Sequence, residues 1–398
     1  MTGTDRTALP TSTKQLRGIG AVLTLVVVVL GSLMFGRYDW TGLPLVRTSN
    51  TAVKVVSARC TERIHPYRTE SGRVVGPIVV DEQQYLALVA YYRGVPRAEL
   101  QVNCLYDPFT NRSGTSWIAH WLPFEEGLAL GIVNTVMTVL ALWMVLLGLR
   151  AAGHEPKVVL AGGLLFAVSW NTVFFSSAIL VDSGVVALIA LSWYLLVSKR
   201  PWWVWPIMLL GYPIKETVGI VVPVTVVWAW NEYRAGRRSA LAAAGPAIAA
   251  AVAFVVGVAY WRGALPAPDA AWPVKPNVAA VLWNLGNGFG FVALALGALP
   301  LVVLSFWGYR VRARTDGWWS ALIDPAAVGV LLAMGINFWA FITVKTSPRL
   351  FWIGFPFAVP LAARWLSQGR PWERLQRVRV PGLDVPDSSS RRPADDSA

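Results

Sequence analysis

The chain has 398 residues, of which 55% are hydrophobic and only 14% charged, and its formal net charge is +13. Soluble domains carry about 25% charged residues, so an ordinary soluble domain is excluded. Long apolar runs separated by short charged clusters are the pattern of a multi-pass membrane protein. The Lys and Arg residues cluster between those runs, which is a topology signal and sets aside a nucleic-acid partner.

The expected fold class is all-α membrane, a polytopic helical bundle of about ten transmembrane segments with a long first external loop carrying interfacial helices. The 21 Trp and 11 Tyr suit aromatic belts at headgroup level. Residues 1–17 read as a polar cytoplasmic arm with Lys14 and Arg17 before the first apolar run. That run, 18–36, is long enough to span and lacks a small-x-small cleavage site, so it reads as an uncleaved anchor. Residues 37–124 form the long first loop. Cys60 and Cys104 both lie there, and an extracytoplasmic setting favours a disulfide between them, with two unpaired thiols as the alternative.

Later apolar runs fall near 125–149, 158–176, 178–198, 202–212, 214–230, 240–261, 279–308, 324–344 and 350–367. The pair within 202–230 is too short for two ordinary spans. It reads as a tight or partly re-entrant hairpin with Tyr212-Pro213-Ile214-Lys215-Glu216 at its crest. The cytoplasmic stretches expected from this layout hold Arg150, Lys157, Lys199, Arg200, Arg234, Arg237, Arg238, Arg310, Arg312 and Arg314. The short external loops hold Lys275, and Lys345 with Arg349. By the positive-inside rule both termini are cytoplasmic. Residues 18–367 then form one transmembrane domain and 368–398 a cytoplasmic tail, whose end is rich in Pro, Ser and Asp and reads as disordered.

In a chain so poor in acids, the stretch Val79-Val80-Asp81-Glu82-Gln83-Gln84-Tyr85 stands out. Tyr85, Leu88, Val89 and Tyr92 recur at helical spacing on a segment too short to span, so it reads as a helix on the membrane surface. A second surface helix is expected over 115–122, where Trp117, Ile118, Trp121 and Leu122 share a face. Together they would make a shelf for an amphiphilic substrate. Asp81 opens the first helix, either as an N-cap with Gln84 in the capping-box position or as a general base, and one residue can be both.

Asp182 opens a later apolar run, as a helix cap or as an intramembrane functional acid. Lys215 and Glu216 are adjacent and would point apart on a helix. Lys215 could hold a phosphate or snorkel to the headgroups. Arg349 and Lys345 flank Pro348, and arginine suits bidentate phosphate recognition. Arg112 is a similar candidate, with a lipid headgroup as the plain alternative. His65 and His120 have no metal-ligand spacing around them, and no P-loop, GxSxG or zinc motif is present.

In their order and spacing, these residues resemble the GT-C superfamily of integral-membrane glycosyltransferases, over most of 15–367. The resemblance lies in Asp81-Glu82 after the first span and in Asn111-Arg112 before Trp121-Leu122-Pro123. It continues with Val181-Asp182-Ser183, Lys215-Glu216-Thr217 and Ser347-Pro348-Arg349 before Phe355-Pro356. The first motif reads Asp-Glu-Gln where related sequences carry Asp-Gly-Gln, and no subfamily is assigned.

The resemblance implies transfer of a sugar from a polyprenyl-phosphate donor to a lipid or cell-envelope glycan acceptor at the external face of the cell membrane. A phosphate leaves readily, so one carboxylate suffices to take the acceptor proton. Asp81 is the implied base, with Glu82 as the alternative base or an orienting neighbour. Lys215, Arg349, Arg112 and Lys345 are the implied phosphate ligands, and Asp182 helps to build the acceptor site. No cofactor is assigned, and a divalent cation is left open. A transporter or flippase for a lipid-linked or anionic substrate is the rival reading. Against it stand the lack of an inverted repeat and the placing of the acids at one surface. A non-catalytic membrane scaffold is the third.

Overall fold

The computed structural model describes residues 12–35, 54–57, 60–62, 66–68, 74–77, 80–271, 275–343 and 349–368. The described residues are predominantly helical. The first half holds α1 (Thr13–Phe35), α2 (Val80–Tyr92), α3 (Gly114–His120), α4 (Glu126–Ala151), α5 (Pro156–Ala167), α6 (Trp170–Phe175) and α7 (Asp182–Val197). The second holds α8 (Val204–Gly211), α9 (Val221–Arg234), α10 (Ala240–Ala264), α11 (Val278–Gly286) and α12 (Gly288–Asp316). It ends with α13 (Trp318–Leu322), α14 (Pro325–Thr343), α15 (Arg349–Trp352) and α16 (Phe355–Ser367).

Four of these, α1, α4, α10 and α14, are long and apolar enough to cross a membrane, and α5 and α7 are shorter apolar helices. At 1.5 Å per residue, the 19 to 26 residues of the four match or exceed a hydrocarbon layer of about 30 Å. Three expected runs are interrupted. Run 158–176 breaks into α5 and α6, where the Ser169 hydroxyl caps α6 by accepting from Thr172 N at 3.2 Å. Run 279–308 breaks at Asn287, and 350–367 breaks between α15 and α16. The expected hairpin at 202–230 is α8, a turn, a 3-10 segment Glu216–Ile220 and α9. The eight residues of α8 rise only about 12 Å.

The first loop contains short strands as well as helices. β1 (Lys54–Ser57) pairs antiparallel with β2 (Cys60–Glu62), and β3 (Pro66–Arg68) with β4 (Val74–Pro77). Short runs containing Val55-Val56 and Val74-Val75 favour extended backbone. β5 (Tyr106–Asp107) pairs in parallel with β6 (Ala270–Ala271), tying the loop to the segment after α10. Asp269 reinforces that tie: its backbone N–H donates to Leu105 O at 2.7 Å, and its Oδ2 accepts from Leu105 N at 2.8 Å. Cys104 is disulfide-bonded. Cys60 is the chain's other cysteine, and its side chain lies outside the described ones, as does His65.

α4 and α7 run parallel, with Asn134 against Ser183 near their starts and Gly148 against Trp193 near their ends. α1 runs opposite to α4: Trp143 Nε1 donates to Thr24 Oγ1 at 3.1 Å, and Arg150 to Thr13 Oγ1 at 2.8 Å. A basic band closes this end of the bundle. Asp324 Oδ2 accepts from Arg312 at 2.6 Å and from Arg364 at 2.9 Å. Glu232 faces Lys199 at 2.8 Å and Arg237 at 2.9 Å. Asn231, beside Glu232, donates to Ile323 O at 2.8 Å, which joins the two clusters.

Asp324 also caps α14, its Oδ1 accepting from Ala326 N at 2.9 Å. Asp324→Ala removes both the cap and the counter-charge, and is expected to lower stability by about 3–5 kcal/mol. Asp324→Asn keeps a capping oxygen and is expected to lose less. Thermal unfolding in detergent tests this, and equal losses would remove the cap from the account.

Candidate functional site

The 16 residues of α7 separate the basic band from Asp182 by about 24 Å. At that far end, six charged side chains from separate parts of the sequence form a linked network. Asp81 Oδ2 accepts a hydrogen bond from Arg349 Nη2. Arg349 Nε stands 4.0 Å from Asp182 Oδ2. Asp182 Oδ1 accepts from Lys215 Nζ. Glu216, the next residue, holds Arg112 by a two-point contact, Nε to Oε2 at 2.8 Å and Nη2 to Oε1. Of the sequence-predicted site residues, the structure therefore brings together Asp81, Arg112, Asp182, Lys215 and Arg349. Lys345 lies outside the described residues.

The network has a buried floor and an accessible rim. The side chains of Asp182 and Lys215 are 3% and 5% exposed, whereas those of Asp81 and Arg349 are 27% and 22% exposed. Glu82 is buried within α2.

Several alternatives from the sequence are corrected by this geometry. Asp81 lies inside the first turn of α2 rather than at its N-cap position. Gln84 is not a capping-box partner, because its amide crosses to the loop: Nε2 donates to Cys104 O at 2.9 Å and Oε1 accepts from Tyr106 N at 3.1 Å. Asp182 does not cap α7, whose N-cap position is Val181. Lys215 does not snorkel outward, since a buried carboxylate holds it. The protein contact that Arg112 makes is Glu216.

α2 is not a surface helix either. Every residue from Glu82 to Ala90 is buried, polar positions included. Segment 104–109 and α3 cover it. Ser116 Oγ donates to Tyr85 O at 3.1 Å, and the Tyr92 and Ser113 hydroxyls are 2.8 Å apart. The exposed aromatic layer is α3 together with residues 121–124, where Trp117, Trp121 and Phe124 are all open. Arg93 Nη2 binds Leu122 O at 3.0 Å and secures that layer. His120 sits within it, its ring 4.5 Å from that of Trp121.

Local backbone chemistry aims the two halves of the Lys215-Glu216 pair. Pro213 comes after the end of α8 and lacks the N–H that a continuing helix needs. Lys215 is extended, with φ −170° and ψ 132°, so consecutive side chains diverge toward Asp182 and Arg112. Gly114 N donates to Pro213 O at 2.7 Å, and a Cβ at Gly114 would stand 2.8 Å from that oxygen. Glycine is therefore required where α3 touches the turn.

Tyr85 lies within the field of Arg112, Asp81, Asp182 and Arg349. Burial pushes its phenol well above the usual range, against the pull of Arg112, and keeps it neutral. Burial opposes the charge on Arg112, but Glu216, joined by Tyr85 and Asp182, raises the guanidinium above its ordinary value. Among the described residues, no group of three or more His, Cys, Asp or Glu is placed to hold a metal.

The sequence reading missed Asn134. It is fully buried in α4 and clamps the non-helical stretch that delivers Asp182. Its Nδ2 donates to Ala178 O at 2.6 Å and Leu180 O at 2.7 Å, and its Oδ1 accepts from Ser183 Oγ at 2.6 Å. Irregular backbone buried inside an apolar bundle needs such partners. A lone Asn in an apolar span was the available signal. Asn134→Leu is expected to cost about 1–3 kcal/mol for each buried group it strands, and to loosen Asp182. Thermal unfolding with and without the substitution measures it, and an unchanged midpoint would contradict the clamp.

No protein-family model, curated protein or solved structure matches the chain.

Proposed function

We propose that this chain is a membrane glycosyltransferase that moves a sugar from a polyprenyl-phosphate donor to a lipid or cell-envelope glycan acceptor. The observation that carries the reading is the linked set Asp81–Arg349–Asp182–Lys215, at the end of the bundle opposite the basic band. In this reading the basic band is cytoplasmic, the charged network is external, and about ten segments cross or enter the membrane with both termini cytoplasmic.

In the proposed step, the acceptor hydroxyl oxygen attacks the anomeric carbon. A new carbon–oxygen bond forms as the bond from that carbon to the phosphate oxygen breaks, and the phosphate leaves with the electron pair. Asp81 takes the hydroxyl proton. Arg349 lies beside Asp81 and stabilises the charge that develops on the departing phosphate. Accessibility favours Asp81 over Glu82 as base, since a base must reach the acceptor. Asp182 and Lys215 act from beneath, as the buried pair that positions Arg349.

The assay supplies purified protein with radiolabelled polyprenyl-phosphate sugars and membrane acceptors. Transfer of label to the acceptor is the expected result. Labelled donor crossing the bilayer of proteoliposomes with no transfer would overturn the reading in favour of a flippase.

A further inference from the structure

We propose that the Asp81–Arg349 ion pair is a latch. An incoming lipid phosphate takes Arg349 from Asp81, and that exchange frees the carboxylate, so that donor binds before acceptor. The ordering rests on the glycosyl-transfer reading above; the exchange itself rests on geometry alone.

The six described side chains carry three negative and three positive formal charges, and each cation faces a carboxylate. A phosphate that takes the two-point grip of one of these cations therefore displaces the acid it now faces. Displacing Asp182 from Lys215 would strand a carboxylate that is 3% exposed, which is costly. Displacing Glu216 would break a two-point contact to Arg112, the stronger form of such a pair. Displacing Asp81 releases a side chain that already reaches solvent. The exchange also needs no backbone movement. Trp352 is fully buried and its Nε1 donates to Thr172 Oγ1 at 3.1 Å, pinning the one-turn helix α15 that carries Arg349. Gln84 pins α2 in the same way. Only side chains move: Arg349 turns its fork from a carboxylate to a phosphate, which it can hold at two points.

In this arrangement Asp81 is a competitor of the phosphate as well as a base. Removing its charge should weaken catalysis and strengthen phosphate binding together. A residue that only positioned or bound the donor would weaken both. The test is calorimetric titration of the detergent-purified protein with farnesyl phosphate, with farnesol as the control for the apolar chain. Asp81→Asn is expected to bind farnesyl phosphate about fivefold tighter than wild type, the competition of one accessible ion pair. Arg349→Gln is expected to bind it more weakly, with farnesol unchanged throughout. Equal or weaker farnesyl phosphate binding by Asp81→Asn overturns the latch, even if that variant has lost transfer and the transferase reading stands. Tighter binding with no transfer by wild type supports the exchange and overturns the transferase reading instead. In wild type, initial-rate kinetics should show ordered binding with donor first, and random order overturns the latch without reference to any variant.

Discussion

Asp81→Asn is expected to reduce sugar transfer about a hundred- to ten-thousand-fold, the range over which a positioned general base contributes. Asn has the same shape but cannot accept the acceptor proton. Folding should survive, because α2 is held by contacts that do not involve Asp81. Gln84 binds the backbone of 104–106, Tyr85 O receives the Ser116 hydroxyl, and Tyr92 meets Ser113. Initial rates with radiolabelled donor measure the first effect, and the unfolding midpoint in detergent measures the second. Full activity in this variant would remove Asp81 as base while leaving the enzyme class standing. Glu82→Gln is the paired control, and a comparable loss there with Asp81→Asn active would shift the role by one residue.

A second large effect, on stability, lies one ion pair deeper. Asp182 and Lys215 neutralise each other in a nearly water-free setting. Breaking such a pair by removing one partner costs about 3–5 kcal/mol, because the other charge is left buried. The two single variants should not be equal. Lys215→Met leaves Asp182 with Arg349, whose Nε is already 4.0 Å away. Asp182→Asn leaves the Lys215 ammonium without its carboxylate, so it should be the more damaging. The double variant, Asp182→Asn with Lys215→Met, strands no charge and should recover much of the loss. Thermal unfolding of the four proteins gives the cycle. Additive losses in the double variant would mean that the two residues do not act as a pair.

The architecture was legible where the physics is local. A run of about 20 apolar residues is long enough to span a hydrocarbon layer about 30 Å thick, and α1, α4, α10 and α14 follow from composition alone. The turn around Lys215 was legible from the break between two apolar runs, but the runs were misjudged as too short to cross: Lys199 and Glu232 meet in the basic band, whereas Lys215 meets Asp182 at the other end of α7. The surface reading of α2 failed because periodicity reports which face is apolar and not what covers the other face. The polar positions Gln83 and Gln84 are buried, with Gln84 bonded to the loop segment 104–106, which the sequence places about twenty residues on. The capping readings of Asp81 and Asp182 failed for a related reason. A cap is a short-range option that any Asp at a helix start offers, and an ion pair from a distant element overrides it.

By itself, the sequence determined that the chain is largely helical with runs long and apolar enough to cross a membrane, that its basic clusters recur between those runs, and which few acids and cations had chemistry to offer. Those properties depend on burial length and charge cost, which are counted residue by residue along the chain. Only the tertiary structure decided which charge meets which. Asp81 and Arg349 are 268 positions apart, Arg112 and Glu216 are 104 apart, and no local spacing links either pair. The place of Asp182 between them depends on parallel packing of α4 and α7 and on the Asn134 clamp that sets the start of α7, and the reach of Glu216 to Arg112 depends on the extended backbone at Lys215. A buried charge is stable only beside its opposite. The fold supplies that opposite by closing the bundle, and so turns scattered acids and cations into one network.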